Sequence, residues 1–433
     1  MKRSWGVFFC LFWTAVPSAF GEPSMELVGA WRVRVAACGL SEALTVTPPD
    51  IVNVADEPYE SIALFSGPVW RRGTPLLGTK AEVCSVADAL EPASLIVRDG
   101  PGPDAKAYAL GKDYALEPRW GGFGRLEGGA IPENRKVYAS YRYAMMRIDS
   151  AVLTADRRIV LRKGVPHVAT PRPPDLDGGE TRLGNVWLSG RIGRLTDVHL
   201  FPVLETAYPE AVPQAPSVAE RRLPKTYAKL REGQPLRILA WGDSVTESAY
   251  LPLESKWQEI FAARLRARYP KASVTVVSVS RNGGTSASFL NAPPGSPYNF
   301  AEKVLAVKPD LIVSEFINDA SLDEAGVLKQ YGGMLQTFGR IGAEWVILTP
   351  HFSRPDWMGL KRENRIEEDP RPYVRGLRLF AENNGVALAD ASSRWVRLWR
   401  QGVPYSTLLV NNINHPDERG MVIFADALMA LFP

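Results

Sequence analysis

The sequence contains little cysteine and little histidine: its 433 residues include three cysteines and four histidines. Neither Cys38 nor Cys84 has a histidine or a second cysteine at the spacing of a zinc site, and we predict neither a metal site nor a cofactor. Cys10 falls in the N-terminal leader described below. Cys38 and Cys84 are therefore an even pair that could form a disulfide in an oxidising compartment, or could remain two buried thiols.

Long hydrophobic runs are also missing. The apolar stretch at residues 5–16 is too short to cross a bilayer, and no later segment is long and apolar enough. Because Lys2 and Arg3 precede this stretch and small residues follow it, we predict a signal peptide at residues 1–21, with cleavage after Ala19 or Gly21. We expect the mature chain to be secreted or periplasmic, soluble, and without stable membrane insertion.

The charge is close to balanced. Loss of Lys2 and Arg3 with the signal peptide lowers the formal net charge from +4 to +2. A value this small argues against nucleic acid or an anionic membrane as a partner. The 45% hydrophobic and 23% charged residues are ordinary for a globular protein of two or three domains.

The chain divides into two halves with different hydrophobic periods. Residues 22–208 contain short stretches that alternate between apolar and polar residues, such as WRVRVAA and SIALFSG, and this pattern predicts an all-β accessory region of one or two modules. Residues 209–235 contain five prolines and have no consistent apolar face, which indicates an extended linker.

From residue 236 onward, short apolar runs alternate with helix-like stretches. Strands that are apolar on both faces and alternate with helices predict an α/β domain, in which helices cover both sides of a parallel sheet. Ligands of such sheets bind beyond the carboxyl ends of the strands. The runs are LRILAWG (236–242), ASVTVVSVS (272–280), DLIVSEF (310–316), AEWVILTP (343–350) and VALAD (386–390).

A serine follows the first of these strands. Ser244 lies in a Gly-Asp-Ser turn that should open a helix, where backbone N–H groups can stabilise developing negative charge. A serine in this position can be a nucleophile if a neighbouring base accepts its proton. It can also be a helix cap, which is the commoner role of serine at a strand-to-helix turn.

Other polar residues follow the later strands. Gly283 and Gly284 lie in the loop RNGGTS, where a glycine lets a backbone N–H approach a ligand, although an ordinary turn would also explain them. Asn318 in FINDA is placed to direct its amide to the same crevice, with a capping role and Asp319 as alternatives. His415, just before the last amphipathic helix, is the best placed base. The other histidines are His167, His199 and His351.

These residues resemble the four sequence blocks of the SGNH (GDSL-type) hydrolases. GDSVT with Ser244, the glycine loop with Gly284, FIND with Asn318 and NHP with His415 occur in the order of those blocks, within residues 236–433. The resemblance implies a flavodoxin-like, three-layer α/β/α domain. It also implies Ser244 as nucleophile, His415 as base, and an oxyanion hole formed by the Ser244 and Gly284 N–H groups and the Asn318 side chain.

The sequence departs from this family pattern at two positions. Phe316 replaces the usual glycine of the third block, which could narrow the crevice, and Asn412 replaces the acid of the usual Asp-x-x-His. The Asn412 carbonyl could still accept the His415 Nδ1–H bond and hold the ring, although it cannot stabilise imidazolium by charge. Asp417, Asp390 or a backbone carbonyl are alternatives for this role.

An exported esterase with a large β-rich region is typical of enzymes that act on a polymer. We therefore expect an acylated polysaccharide as substrate and O-deacetylation as reaction. If the β-rich half only recruits or orients the polymer, residues 221–433 alone should still cleave a small aryl acetate while losing activity on the polymer. Lipid or aryl ester hydrolysis, acyl transfer, and a glycan-binding protein with weak catalysis are the alternatives. Tryptophans that could bind glycan faces are Trp31, Trp70, Trp120 and Trp187.

Overall fold

The computed structural model describes residues 22–433, so the predicted signal peptide at residues 1–21 lies outside the described residues. Strands make up the regular structure of the first part of this range, and strands alternating with helices make up the second part. A β-rich region followed by an α/β domain is therefore confirmed.

Fifteen strands lie within the described part of the β-rich region. In β2, the alternation of RVRVAA places Val33, Val35 and Ala37 in the core, whereas Arg32 and Arg34 face solvent, as expected for a strand with one buried face. The strands are β1 Ser24–Gly29, β2 Arg32–Ala37, β3 Leu40–Thr45, β4 Ile51–Tyr59, β5 Thr74–Pro75, β6 Lys80–Ala81, β7 Cys84–Ser85, β8 Ile96–Arg98, β9 Tyr114–Leu116, β10 Gly122–Arg125, β11 Val137–Ala144, β12 Arg147–Leu153, β13 Ile159–Arg162, β14 Thr181–Leu188 and β15 Leu200–Pro202.

Thirteen of these strands form two modules with separate cores, and β6 and β7 form a two-stranded sheet of their own. In the first, the antiparallel sheets β1-β2-β3 and β13-β12-β14-β15 share a core that contains Val35 and Val186. In the second, the sheets β4-β11-β8 and β5-β10-β9 share a core that contains Phe123 and Tyr141. The second module is thus inserted in sequence between the two sheets of the first.

The α/β domain contains one parallel sheet of five strands. Every predicted apolar run contains one of them, and all neighbouring strands are parallel. The spatial order is β17-β16-β18-β19-β20, which is 2-1-3-4-5 counted along this domain. The strands are β16 Leu236–Gly242, β17 Val274–Ser280, β18 Leu311–Glu315, β19 Glu344–Leu348 and β20 Ala387–Ala389.

Helices cover both faces of this sheet. Successive side chains of β16 point to opposite faces, so Ile238 and Ala240 pack against α1, α2, α4 and α9, whereas Leu239 and Trp241 pack against α5, α6 and α7. The helices are α1 Val218–Arg222, α2 Pro224–Glu232, α3 Ser244–Glu247, α4 Trp257–Arg268, α5 Ser286–Leu290, α6 Glu324–Ile341, α7 Pro372–Asn384, α8 Ala391–Arg397 and α9 Glu418–Met429.

The predicted extended linker at residues 209–235 is wrong over its second half, which forms α1 and α2. Ser217 and Glu220 form a capping box at the start of α1, in which each side chain accepts the backbone N–H of the other residue. Pro224 occupies the first turn of α2, where its missing N–H has no intrahelical partner to lose. Leu223 and Leu230 are fully buried on the α/β domain, and this burial stabilises helices that are too short to persist alone.

Of the two alternatives for Cys38 and Cys84, the structure shows free thiols and not a disulfide. Cys38 packs beside the core of the first module, and Cys84 belongs to a separate cluster with Trp120 and Ile413. The two thiols therefore lie in different parts of the β-rich region.

The two halves of the protein share an interface. In addition to the Cys84 cluster, the Arg354 guanidinium stacks 4.5 Å above the centre of the Trp120 ring, and Arg119 forms a 2.8 Å ion pair with Asp356. The interface lies beside the loops that follow β19 and precede α9. Among residues 22–433, no helix combines the length and the apolarity needed to cross a membrane.

Candidate active site

Ser244 lies directly beyond the carboxyl end of the central strand β16. Asp243 caps the following helix α3 by accepting the Val245 N–H at 3.0 Å, and Ser244 is the first helical residue. A side chain at Gly242 would meet the Thr246 hydroxyl at 2.1 Å and the Glu315 carbonyl oxygen at 2.3 Å. Only glycine allows this tight passage from strand to helix, and the turn places Ser244 at the edge of the sheet, where it is 6% exposed.

His415 lies against this serine. Its Nε2 atom is 3.1 Å from the Ser244 hydroxyl oxygen. The loop that carries the histidine is organised by the buried Asn411, whose side-chain oxygen accepts the backbone N–H groups of Ile413, Asn414 and His415 at 2.9, 2.8 and 2.9 Å. Asn411 thereby fixes the direction in which the imidazole leaves the backbone.

The other ring nitrogen of His415 faces the β-rich half of the protein. Its Nδ1 atom lies 2.7 Å from a carboxylate oxygen of Glu82, in the two-residue turn between β6 and β7. The Glu82 and His415 side chains are 19% and 12% exposed, so the pair is largely shielded from water. An Nδ1–H that donates to Glu82 leaves Nε2 free to accept the Ser244 proton, as a Ser-His-acid triad requires.

The backbone at Glu82 is strained. Its φ angle is +38°, in the left-handed region that non-glycine residues adopt rarely. Strain of this kind costs about 1–3 kcal/mol per residue and concentrates at functional sites, where the surrounding structure maintains it. The strained turn directs the carboxylate across the interface to His415.

None of the residues considered as partner of the His415 Nδ1 atom occupies that position. Asn412 follows Asn411 in left-handed backbone with φ of +56°, and the structure pairs Nδ1 with Glu82 instead. Asp417 caps α9 and forms an ion pair with Arg419. Asp390 caps α8 and binds Arg378. The structure therefore pairs the His415 Nδ1 atom with Glu82 and not with Asn412, the orienting residue expected from the sequence.

An aromatic ring covers the imidazole. Tyr250 stacks on His415 with a centroid distance of 4.8 Å and an interplanar angle of 6°. The contact restricts rotation of the imidazole, whose two nitrogens already face Glu82 and Ser244. His415 is thus contacted by Ser244 and Tyr250 from the stretch after β16 and by Glu82 from the β-rich half.

The three predicted oxyanion donors differ in availability. Among the described residues, the Ser244 N–H has no hydrogen-bond acceptor. The Asn318 amide donates one N–H to Asp243 at 2.9 Å, which leaves its second N–H for a ligand. The Gly284 N–H, in contrast, donates to the Arg281 carbonyl at 2.8 Å, so it closes a turn rather than facing the crevice.

Two buried carboxyl groups lie beneath the nucleophile turn. Burial raises the pKa of Asp243, although backbone N–H groups of Val245 and Asn318 donate to it. Burial, followed by the nearby charge of Asp243, raises the pKa of Glu315 well above its usual range. Phe316, which was considered as a residue that could narrow the crevice, packs in the core with its ring centroid 4.8 Å from that of Trp241.

The other histidines do not reach Ser244. His351 is fully buried, and burial lowers its pKa well below its usual value, an effect to which the nearby Arg371 charge adds. Its Nε2 atom lies 2.7 Å from the Asn414 carbonyl oxygen, so a neutral ring that donates there supports the loop of His415. His167 and His199 lie in the β-rich half.

The tryptophans considered for glycan binding are not all accessible. Trp120 is buried under Arg354, and Trp31, Trp70 and Trp187 are half-buried. The Trp187 ring makes an edge contact with Phe201. Within residues 22–433, no cluster of three or more histidine, cysteine or acidic side chains could hold a metal ion.

Sequence reasoning missed Glu82, Asn411 and Tyr250. The strands beside Glu82 have two residues each, which is too short for any hydrophobic period. The one sequence feature that could have indicated a functional role for Glu82 was a glutamate in a tight turn, where glycine or asparagine is usual. For Asn411, the corresponding feature was its position four residues before His415, in a loop that must turn sharply.

No protein-family model and no curated protein sequence matches this chain.

Solved structures resemble it over a little under half of its length. An α/β hydrolase enzyme from the metagenome of Lake Arreo, Spain, is 19% identical over 45% of this chain and 94% of its own, with a TM-score of 0.37. An acetylxylan esterase from Geobacillus stearothermophilus is 18% identical over 46% and 95% of the two chains, with a TM-score of 0.37. A two-domain esterase active on acetylated mannans is 16% identical over 48% and 52%, with a TM-score of 0.39. These values describe a partial likeness and do not place the chain in a family.

Proposed function

We propose that this protein is an exported serine esterase of the SGNH type that removes acetyl or other short acyl groups from a polysaccharide. The observation that carries the proposal is the continuous contact from the Ser244 hydroxyl through both ring nitrogens of His415 to the Glu82 carboxylate, at 3.1 and 2.7 Å. A serine, an imidazole and a carboxylate in this order form the apparatus of acyl transfer through a covalent intermediate.

Each group has a defined part in the reaction. His415 accepts the Ser244 proton at Nε2 while the serine oxygen attacks the acyl carbon, and the resulting oxyanion binds the Ser244 N–H and the free N–H of Asn318. The protonated imidazole then donates to the departing sugar oxygen, which leaves an acyl-serine. Water, activated by the same histidine, releases the carboxylic acid. Glu82 holds the ring and stabilises its positive charge in both steps.

The SGNH assignment is supported by the fold as well as by the motifs. The strand order 2-1-3-4-5 is that of flavodoxin-like sheets, whose ligands bind where the order reverses. Ser244 follows the strand at that reversal, and Gly284 and Asn318 follow the two strands beside it. A polysaccharide substrate is supported by the large β-rich half, which lies beside the site and supplies Glu82.

The basic experiment compares hydrolysis of p-nitrophenyl acetate by the wild-type protein and Ser244→Ala. We expect kcat to fall at least about a thousandfold, and a fluorophosphonate probe to label Ser244 in the wild type. Ser66→Ala, which changes an exposed serine of the β-rich half, is the matched control. Equal rates for wild type and Ser244→Ala would contradict the proposal. Acetate release from a panel of acetylated polysaccharides then identifies the polymer.

One observation favours a second candidate, a glycan-binding protein with weak catalysis. The Gly284 N–H is used within its own turn, and the loss of one oxyanion donor lowers kcat by about 10²–10³-fold. This candidate predicts binding of polymer with very slow acetate release. A rapid release that depends on Ser244 would exclude it.

A further inference from the structure

A cavity of about 440 Å³ opens in the β-rich half beside the candidate site. Its volume is within the roughly 300–1,000 Å³ of small-molecule sites. Glu82 is part of its wall, and the Glu82 carboxylate contacts His415, so the cavity and the candidate site share this residue. The charged and aromatic side chains that line it are Trp70, Arg71, Arg72, Lys80, Glu82 and Trp120.

The lining carries an excess of positive charge. Arg71 and Lys80 are exposed and have no acidic partner within the described residues 22–433. Arg72 donates its Nε–H to the Gly67 carbonyl at 3.1 Å, which leaves the rest of its guanidinium available. The one acid of the lining, Glu82, is already bound to His415. The formal net charge of the whole chain is small, so this excess is a local feature.

The cavity also offers an aromatic surface to a sugar. This surface is the ring of Trp70, which is half-buried in the wall. Trp120 is buried under the Arg354 guanidinium, 4.5 Å from the ring centre, and supports the wall from behind. Indole rings present an apolar face to the C–H groups of a pyranose, and arginine presents paired N–H donors to an oxyanion. The two kinds of group together match a sugar that carries a negative charge.

We propose that this cavity binds an anionic sugar unit of the polymer whose acyl group is removed at Ser244, so that the substrate is an acidic polysaccharide. The inference rests on the proposed esterase function and specifies its substrate class. A chain bound across the Ser244 crevice would place a neighbouring sugar beside Glu82, with its oxyanion facing Arg71 and Lys80.

The test compares the double variant Arg71→Gln/Lys80→Gln with the wild type. The substrates are an acetylated oligogalacturonate, which bears carboxylates, an acetylated sulfated oligosaccharide, and an acetylated neutral xylan oligosaccharide. We expect the KM for the oligogalacturonate to rise about tenfold, because each lost cation removes a charge-assisted contact, while the kcat at saturation changes less than twofold. The neutral oligosaccharide should have a high KM with both proteins.

The matched control is Lys106→Gln/Arg135→Gln, which removes the same charge from exposed positions outside the lining. It should keep the wild-type KM, and this result separates a specific site from a general effect of net charge. Raising the ionic strength should weaken binding of the anionic substrates by the wild type. A lower KM for the sulfated than for the carboxylate-bearing substrate would identify sulfate as the anion. Equal KM values of the wild type for neutral and anionic oligosaccharides would overturn the proposal.

A binding measurement separates failure of this inference from failure of the proposed function. Unacetylated oligogalacturonate is titrated into the wild type and into the double variant, and tryptophan fluorescence is recorded. Saturable quenching that the double variant loses supports the cavity even if no ester is hydrolysed. Turnover of p-nitrophenyl acetate together with no binding of the oligogalacturonate would preserve the esterase and refute the anionic site. Unchanged circular dichroism and Tm of the variant establish that it is folded.

Discussion

The Nδ1 atom of His415 lies 2.7 Å from the Glu82 carboxylate, although 333 positions of sequence separate the two residues. The α/β domain supplies the serine and the histidine, and the β-rich half supplies the acid. The β-rich half is therefore part of the candidate site. This arrangement changes the expectation that residues 221–433 alone would cleave a small ester, since that fragment lacks Glu82.

Replacement of Glu82 tests this relationship. Glu82→Gln should lower kcat on p-nitrophenyl acetate by about 10²–10⁴-fold with little change in KM, because the ring loses the charge that stabilises imidazolium. Glu82→Asp should restore part of the rate. Glu60→Gln, an exposed change in the same region, should be neutral. A wild-type kcat in Glu82→Gln would exclude Glu82 from the site.

A glycine at the same position separates folding from activity. Glu82→Gly removes the carboxylate and also relieves the strain of a φ of +38°. We expect the free energy of unfolding to stay level or to rise by about 1 kcal/mol, while kcat falls as in Glu82→Gln. Urea denaturation measures the first quantity. A marked loss of stability would show that the carboxylate is needed for the interface.

The two neighbouring asparagines should differ strongly. Asn411→Ala removes the acceptor of three backbone N–H groups, and we expect roughly 3 kcal/mol of lost stability and a large fall in kcat because His415 is displaced. Asn412→Gly keeps the left-handed backbone and should retain most of the activity. A greater loss of kcat in Asn412→Gly than in Asn411→Ala would restore Asn412 as the orienting residue.

Tyr250 is expected to act through its ring. Tyr250→Phe keeps the surface that stacks on His415, so its kcat should stay within about threefold of the wild type. Tyr250→Ala removes the restraint on the imidazole and should lower kcat about tenfold or more, since small misplacements at a reacting centre are costly. Steady-state kinetics of the two variants gives the comparison. Equal losses in both would point to the hydroxyl instead.

Glu363 should make stability depend on pH. Burial raises the pKa of this carboxyl to about 7, above its value in the unfolded chain. Between about pH 4.5 and 7 the folded state therefore binds more protons, so the free energy of unfolding should fall as pH rises, by roughly 3 kcal/mol in total, and then level off.

Glu363→Gln should abolish this component of the pH dependence. The measurement is urea denaturation at a series of pH values, with Glu367→Gln, an exposed neighbour, as the control. Parallel pH curves for the wild type and Glu363→Gln would contradict the prediction.

The two cysteines should differ in reactivity. Burial raises the pKa of Cys84 to about 12, and its thiol donates to the Asn411 carbonyl at 3.0 Å, so it should resist iodoacetamide at pH 8. The half-buried Cys38 should react faster, and both should react in denaturant. Peptide mass spectrometry measures the labelling of each. Absence of labelling at both positions in denaturant without reductant would indicate the disulfide after all.

The hydrophobic pattern was enough to predict the α/β domain. Five runs that are apolar on both faces can be buried only between two layers of helices, and each of them contains a strand of the parallel sheet. Since parallel strands end at one edge, the residues after them were expected to meet there. The structure accordingly brings His415 to within 3.1 Å of Ser244.

The same local reasoning failed where tertiary contacts decide the structure. Prolines in residues 209–235 suggested an extended chain, but Pro224 begins a helix that is stabilised by burial of Leu230 on the α/β domain. The position of Asn412, three residues before His415, suggested that it was the partner of the His415 Nδ1 atom. The loop is instead ordered by Asn411, whose hydrogen bonds depend on a turn that no periodicity describes.

The β-rich and α/β halves, the positions of the five parallel strands and the residues at their carboxyl ends follow from the sequence pattern, because burial and chain direction dictate these features locally. Which carboxylate reaches His415 depends on the folded structure. Glu82 lies in a strained turn between strands of two residues, and the packing of the two halves, through Trp120 and Arg354 among others, brings it to the imidazole. Contacts over such a separation depend on how whole modules pack, which no local pattern encodes.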